Sequence, residues 1–164
     1  NPGSSAWNDL LPERETLPSL SGNLKSDWLI VGAGFAGLSA ARRVQQEAPN
    51  DSIVILDAQG LASGPAGRNS GFMIDLPHDL ASDDYGGQIE NDRETITQNR
   101  YAINFAKETV ETLQLPKECF KEIGKINGAA TAKGMRHNHD YAKHLSKLSE
   151  KYEYLDANSM KDIT

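Results

Sequence analysis

Three glycines at the spacing G-x-G-x-x-G, Gly32, Gly34 and Gly37, precede an acidic residue, Asp57, by a fixed interval of twenty positions from the last glycine. These four residues carry the clearest chemistry in the chain. Gly32 permits a tight turn. Gly34 has no side chain, so backbone can come close to a pyrophosphate. Gly37 lets a helix pack against a strand. A helix that starts at such a turn offers free N–H groups and a partial positive charge to phosphate oxygens. Asp57 can accept hydrogen bonds from both hydroxyls of an adenosine ribose, and its charge repels a 2′-phosphate, which disfavours NADP. The turn alone does not separate FAD from NAD.

Such a turn works only between a strand and a helix. Trp28-Leu29-Ile30-Val31 is a short apolar run ended by Gly32, which predicts a buried strand. Ala36 to Gln46 follows, with Leu38, Ala41 and Val44 at helical spacing, and Pro49 and Asn50 stop it. Ile53-Val54-Ile55-Leu56 is a second β-branched run ending at Asp57. The three predict a parallel βαβ unit with a right-handed crossover. After Asp57 comes a stretch of small residues with a cation, an amide and a hydroxyl. It runs Ala62-Ser63-Gly64-Pro65-Ala66-Gly67-Arg68-Asn69-Ser70-Gly71-Phe72-Met73. Such a segment can pass close under a flat ring and a diphosphate, and Arg68 can neutralise negative charge there. Composition alone fits a surface loop equally.

Composition narrows the field of functions. Apolar residues are 38% and charged residues 24%, enough for a folded core. A net charge of −6 argues against a nucleic-acid partner, and no apolar run is long enough for a membrane helix. Cys119, the single cysteine, fits a reducing compartment, and a cytoplasmic location is expected.

Val31 to Asp57, followed by Ala62-Ser63-Gly64 and Gly67-Arg68-Asn69-Ser70-Gly71, resembles the N-terminal part of the FAD-dependent amino-acid and amine oxidoreductases. This is the glycine oxidase, D-amino-acid oxidase and sarcosine oxidase superfamily. Many members carry S-G-R-N-x-G after the acidic ribose ligand, and here Pro65-Ala66 lengthens that element. The resemblance implies an α/β fold, a Rossmann-like FAD-binding domain that is incomplete in this chain. It also implies oxidation of a C–N bond to an imine by hydride transfer to FAD. Carried over by position, the turn Gly32, Ala33, Gly34, Phe35, Ala36 and Gly37 takes the pyrophosphate. Asp57 and Ala58 meet the adenosine ribose. Ser63, Gly64, Arg68, Asn69, Ser70, Gly71 and Phe72 line the path toward the flavin. Substrate-orienting residues of the family lie in later segments, so no catalytic residue is assigned here. An NAD-dependent dehydrogenase and a non-catalytic nucleotide-binding subunit are the alternatives.

The remaining signals are weaker. His137, His139 and His144 lack the spacing of a metal pair and are expected on a solvated helix surface, with no metal site. His78 and Cys119 match no flavin-anchoring motif, so FAD is expected to be held non-covalently. Glu90, Asp92 and Glu94 read as favourable first-turn charges, and Asp83, Asp84 and Tyr85 as a polar loop.

The rest of the chain reads as follows. Residues 1–27 are expected to form an extended arm over the body, anchored by Trp7, Leu10, Leu11 and Leu17. Residues 28–164 are the N-terminal part of the FAD domain, without a substrate domain. A helix carries the stripe Ile96, Asn99, Ile103, Ala106, Val110 and Leu113, and Pro116 ends it. Phe120 to Ala132 is predicted strand-like. A last helix carries Tyr141, Leu145, Leu148 and Tyr152. Tyr154 and Leu155 suggest a short strand, and Asp156 an N-cap. Two parallel strands leave open edges. A second polypeptide, either the rest of a precursor or a separate subunit, is therefore expected to complete the sheet and carry the substrate domain. A small amine or amino acid is the expected substrate.

Overall fold

The computed structural model describes residues 3, 5–12, 17–77 and 88–162. His78 and the run Asp83, Asp84, Tyr85 lie outside the described residues. The chain divides into two compact units, Asn1–Phe72 and Met73–Thr164.

In the first unit, strand β1 (Trp28–Val31) pairs in parallel with β2 (Ile53–Leu56), and helix α2 (Phe35–Glu47) crosses between them. Short helix α1 (Ala6–Leu10) precedes them. The register sets Trp28 beside Ile53 and Val31 beside Leu56. Both ends of the ladder are fastened. At the start, the Asp27 carboxylate accepts from Ser52 N–H (2.8 Å) and Ser52 Oγ (2.6 Å). The Ser52 hydroxyl and N–H hold this carboxyl below the ordinary carboxylate range. At the far end, the Gly32 N–H donates to the Leu56 carbonyl at 2.7 Å. Helix α2 ends at Ala48, whose N–H closes on the Val44 carbonyl ahead of Pro49. The expected βαβ unit is present. Parallel strands are normally covered on both faces, yet Leu29 is 60% and Val31 81% exposed.

The N-terminal segment, expected to be extended, contains the helical turn α1. Ser5 caps it by accepting from Asn8 N–H at 3.2 Å. Leu10, Leu11 and Leu17 are exposed rather than anchored.

In the second unit, α3 (Ile89–Thr112) and α4 (Ala132–Lys147) enclose a core of Ile96, Tyr141, Leu145 and Leu148, with Leu76 and Ile89 packed against it. Helix α3 stops at Thr112, ahead of Pro116, because Gln114 takes a left-handed conformation (φ 51°) and its neighbours' N–H groups close the last turn. Thr131 caps α4 by accepting from Gly134 N–H at 3.1 Å. After α4, Arg100 of α3 holds Glu150 in a two-pronged pair (3.0 and 2.7 Å) and Asp75 at 2.9 Å.

Several expectations are corrected here. Phe120 to Ala132, expected to be strand-like, is irregular as far as Thr131, where α4 is capped; it follows a 3₁₀ turn at Lys117–Cys119 and pairs with no strand among the described residues. Gly124 at φ +76° breaks the extended run, and a strand without a ladder partner leaves its backbone groups to water. Tyr154 and Leu155 form no strand. Asp156 does cap, accepting from Asn158 N–H (2.9 Å) and Ser159 N–H (2.8 Å), but what it opens is a 3₁₀ turn, Ser159–Asp162. His144 is not on a solvated surface, and Asp92, which does fall in the first turn of α3, is buried. The two are 2% and 5% exposed, and His144 Nε2 lies 2.6 Å from Asp92 Oδ2 across the helix pair. Among the described residues no helix is long and apolar enough to cross a membrane.

Candidate dinucleotide site

The site is built at the C-terminal end of β1. Gly32 leaves the strand at φ +103°, a conformation that L side chains rarely adopt. Two residues on, Gly34 is the N-cap of α2 and has no side chain to cap it, so the first N–H groups of the helix are left for an anion. Gly37 sits on the first turn of α2, against the strand. A Cβ there would lie 1.8 Å from the Gly32 carbonyl oxygen and 3.3 Å from Ile30 Cγ2, so helix and strand meet at glycine distance. Phe35 and Ala36 project outward from the same turn and are exposed.

Asp57, at the end of β2, reaches across to this turn. Its Oδ2 accepts from Ala33 N–H at 2.7 Å, and its Oδ1 accepts from Gln59 N–H at 2.9 Å. These backbone donors, Ala33 first, hold the carboxyl below the ordinary carboxylate range and so keep it ionised. Each carboxylate oxygen retains a further lone pair, and the side chain is exposed, so ribose hydroxyls have acceptors there. Ala58, next in the chain, is exposed beside it. Sequence reasoning missed the buttress between Asp57 and Ala33, although strand register brings the end of β2 beside the turn.

The segment after Asp57 folds back onto the glycine turn. Pro65–Gly67 forms a 3₁₀ turn with Gly64 as its N-cap. The two residues that lengthen the family element therefore have a structural role. An added Cβ at Gly34 would meet Ala66 Cβ at 3.9 Å, ordinary contact distance, so the loop lies directly beside the pyrophosphate turn. Gly64 faces open space, with nothing within 4 Å of an added Cβ. Gly67 is buried, and a Cβ there would lie 1.9 Å from the Ala62 carbonyl oxygen.

The polar side chains of this loop are spent on its own shape. Arg68 Nε donates to the Ser63 carbonyl at 3.0 Å, and Arg68 Nη2 to the Gly3 carbonyl. Asn69 Nδ2 donates to the Ala66 carbonyl at 2.7 Å, while its Oδ1 accepts from Gly71 N–H at 2.8 Å. The sequence suggested that Arg68 faces a phosphate or a ring. In the structure its guanidinium is turned to backbone carbonyls. Ser70, Gly71 and Phe72 are exposed on the loop.

A parallel βαβ unit with a glycine turn at a helix N-terminus and an ionised carboxylate ending the second strand defines a dinucleotide-binding protein. The chain belongs to the FAD dependent oxidoreductase family, whose profile matches residues 27–164. It is similar to "Probable oxidoreductase OrdL" of Rhizobium meliloti (strain 1021), at 24% identity over 161 residues, covering 94% of this chain and 35% of that protein. The chain thus spans about a third of the length of this curated relative. No solved structure matches it. The family settles the cofactor as FAD rather than NAD. The residues fit that group: an open glycine turn, unfilled space at Gly64, free helix N–H groups and a charged ribose acceptor are all present.

Asp57→Ala would remove the Ala33 buttress and the carboxylate expected to accept from the ribose. FAD affinity is expected to fall by about tenfold to a hundredfold, the scale of a hydrogen bond to a charged group. Equilibrium dialysis with flavin fluorescence measures this, and unchanged affinity would remove Asp57 from the site. The pH dependence follows from the sign of the shift. A carboxyl lowered in the folded state contributes stability above its unfolded pKa of about 3.9 and loses that contribution as pH falls through the lower folded value. FAD retention in the native protein is therefore expected to hold at mildly acid pH and to fail below the usual carboxylate range.

Proposed function

We propose that the chain is the FAD-binding portion of an oxidoreductase that converts a C–N bond of an amino acid or amine to an imine. The observation that carries this reading is the loop 62–71. It has the small-residue, Gly-Arg-Asn-x-Gly character of amine-oxidising flavoproteins and stands beside the glycine turn through Ala66. When bound, FAD supplies the hydride acceptor, and the carbon next to nitrogen is the donor.

The chain's own residues bind and orient. Gly32, Gly34 and Gly37, with the first N–H groups of α2, hold the pyrophosphate. Asp57 holds the adenosine ribose and fixes the turn through Ala33. Ser63, Gly64 and the backbone of residues 69–71 border the route from the diphosphate to the flavin. No residue of the chain is assigned a proton-transfer role, and the cofactor is held without a covalent bond.

The reading also includes further polypeptide. The exposed apolar residues Leu29 and Val31 of β1 support a sheet completed by more strands, from the same precursor or a separate subunit that brings the substrate-binding surface. A cytoplasmic location is part of the reading, supported by Cys119 as an exposed free thiol.

The test is anaerobic. The purified protein, assembled with whatever polypeptide co-purifies, is mixed with a panel of amines and amino acids while the flavin absorbance is followed. Bleaching of the oxidised flavin band by at least one of them, with release of the matching imine hydrolysis product, is expected. Bleaching only by substrates lacking a C–N bond would overturn the substrate class and leave the family assignment standing.

A further inference from the structure

Three contacts tie the N-terminal arm to the loop that borders the flavin route. Trp7, in α1, donates its indole Nε1–H to the Asn69 carbonyl at 2.7 Å, bridging 62 positions of sequence. Arg68 donates to the Gly3 carbonyl, 65 positions away. Gly71 lies under the indole, close enough that an added Cβ would meet Trp7 Cζ2 at 3.6 Å. The arm is itself braced at this point. Ser5 is 4% exposed, and its hydroxyl caps α1, which fixes where Trp7 leaves the backbone.

From these contacts we propose that the arm is a positioning element for the cofactor loop, with Trp7 as its principal residue. The proposal rests on the reading of loop 62–71 as the border of the FAD site. Two of the arm's contacts fall on Arg68 and Asn69, whose side chains also set the loop's own shape through Ser63 and Ala66. The third falls on Gly71, whose φ of +78° marks the turn that ends the loop. The arm thus touches three residues that shape the loop, Arg68, Asn69 and Gly71. Its action is on geometry: Trp7 fixes the direction of the 69–70 peptide, and with it the presentation of the backbone groups that follow. Leu10 and Leu11, the other large apolar side chains here, are 77% and 50% exposed, so the tie runs through the indole and not through general hydrophobic cover.

The test uses the full protein with four variants: Trp7→Phe, deletion of residues 1–12, Leu10→Ala and Asp57→Ala. Trp7→Phe keeps a ring over Gly71 but loses the N–H donor, so it removes one hydrogen bond with little effect on packing. Three readouts are taken. They are hydrogen exchange of the amides in residues 62–72 of FAD-free protein, the FAD dissociation constant, and the visible circular dichroism of the bound flavin. Trp7→Phe is expected to speed exchange in the loop about three- to tenfold, the scale of one net hydrogen bond. It should weaken FAD by a similar factor and change the flavin dichroism, which reports ring environment. The deletion should do the same more strongly, and Leu10→Ala should match the parent in all three. Unchanged loop exchange in both Trp7→Phe and the deletion would overturn the proposal, and so would faster exchange with unaltered affinity and dichroism. If Asp57→Ala instead retains FAD at parental affinity, the reading of the site itself fails, whatever the arm does.

Discussion

Asp92→Ala is expected to cost the second unit about 3–5 kcal/mol of stability, the cost typical of removing one partner from a buried pair. Asp92 and His144 lie 52 positions apart on α3 and α4, and their side chains are only 8% and 1% exposed. The contact between them, 2.6 Å, is surrounded by Ile96, Tyr141, Leu145 and Leu148. Water cannot replace the carboxylate at a site so closed, so truncation leaves the imidazole Nε2 in an apolar setting without its principal counterpart. Surface ion pairs in the same unit, such as Lys143–Asp140, are solvated and should by contrast change stability little when broken. Urea unfolding of the two single variants and the double variant Asp92→Leu/His144→Leu measures the coupling. The double variant is expected to recover much of the loss, because apolar residues can fill a buried pair's place. A single-variant cost below about 1 kcal/mol would show that the pair does not hold the helices together.

Gly37→Ala is expected to damage the dinucleotide site more than any other single-methyl change. The added Cβ would stand 1.8 Å from the Gly32 carbonyl oxygen, so α2 must move off β1. Overpacking of this kind costs about 1–3 kcal/mol where the surroundings can give, and both partners here are backbone. The displacement also moves the α2 N-terminus, where the proposed site would hold the pyrophosphate, so FAD retention should fall by at least about tenfold while the second unit keeps its own unfolding transition. Thermal melts followed by flavin release give both numbers. Gly64→Ala serves as the comparison, since nothing lies within 4 Å of its added Cβ, and parental behaviour of Gly37→Ala would contradict the packing described.

The βαβ unit was legible because every level of the sequence agreed on it. Two four-residue apolar runs, a helical stripe with a Pro-Asn stop, and glycines in the connecting turn leave few alternatives. The buried Asp92–His144 pair was not legible in the same way, because polar residues are assigned to water by default. The signal was nonetheless present. Asp92 falls three residues after Ile89 and four before Ile96, and His144 falls three after Tyr141 and four before Leu148, so each lies within an apolar stripe. An acid and a base placed within facing stripes are candidates for each other. The strand expected at Phe120 to Ala132 failed for a different reason. Apolar residues between glycines describe a strand only when a neighbour offers a ladder, and no local pattern reports on that. In the loop at 62–71 the direction of Arg68 depends on a carbonyl 65 positions away and lies beyond any local pattern.

The hydrogen bond from Ala33 to Asp57 makes one carboxylate answer for two things, the shape of the glycine turn and the charge at the end of β2. The same bond keeps Asp57 ionised into mildly acid solution, so failure is expected only below the usual carboxylate range. One proton on Asp57 would then loosen the glycine turn and, on the proposed reading of the site, the ribose acceptor with it, so the adenosine and diphosphate ends of the cofactor should lose their hold in a single step.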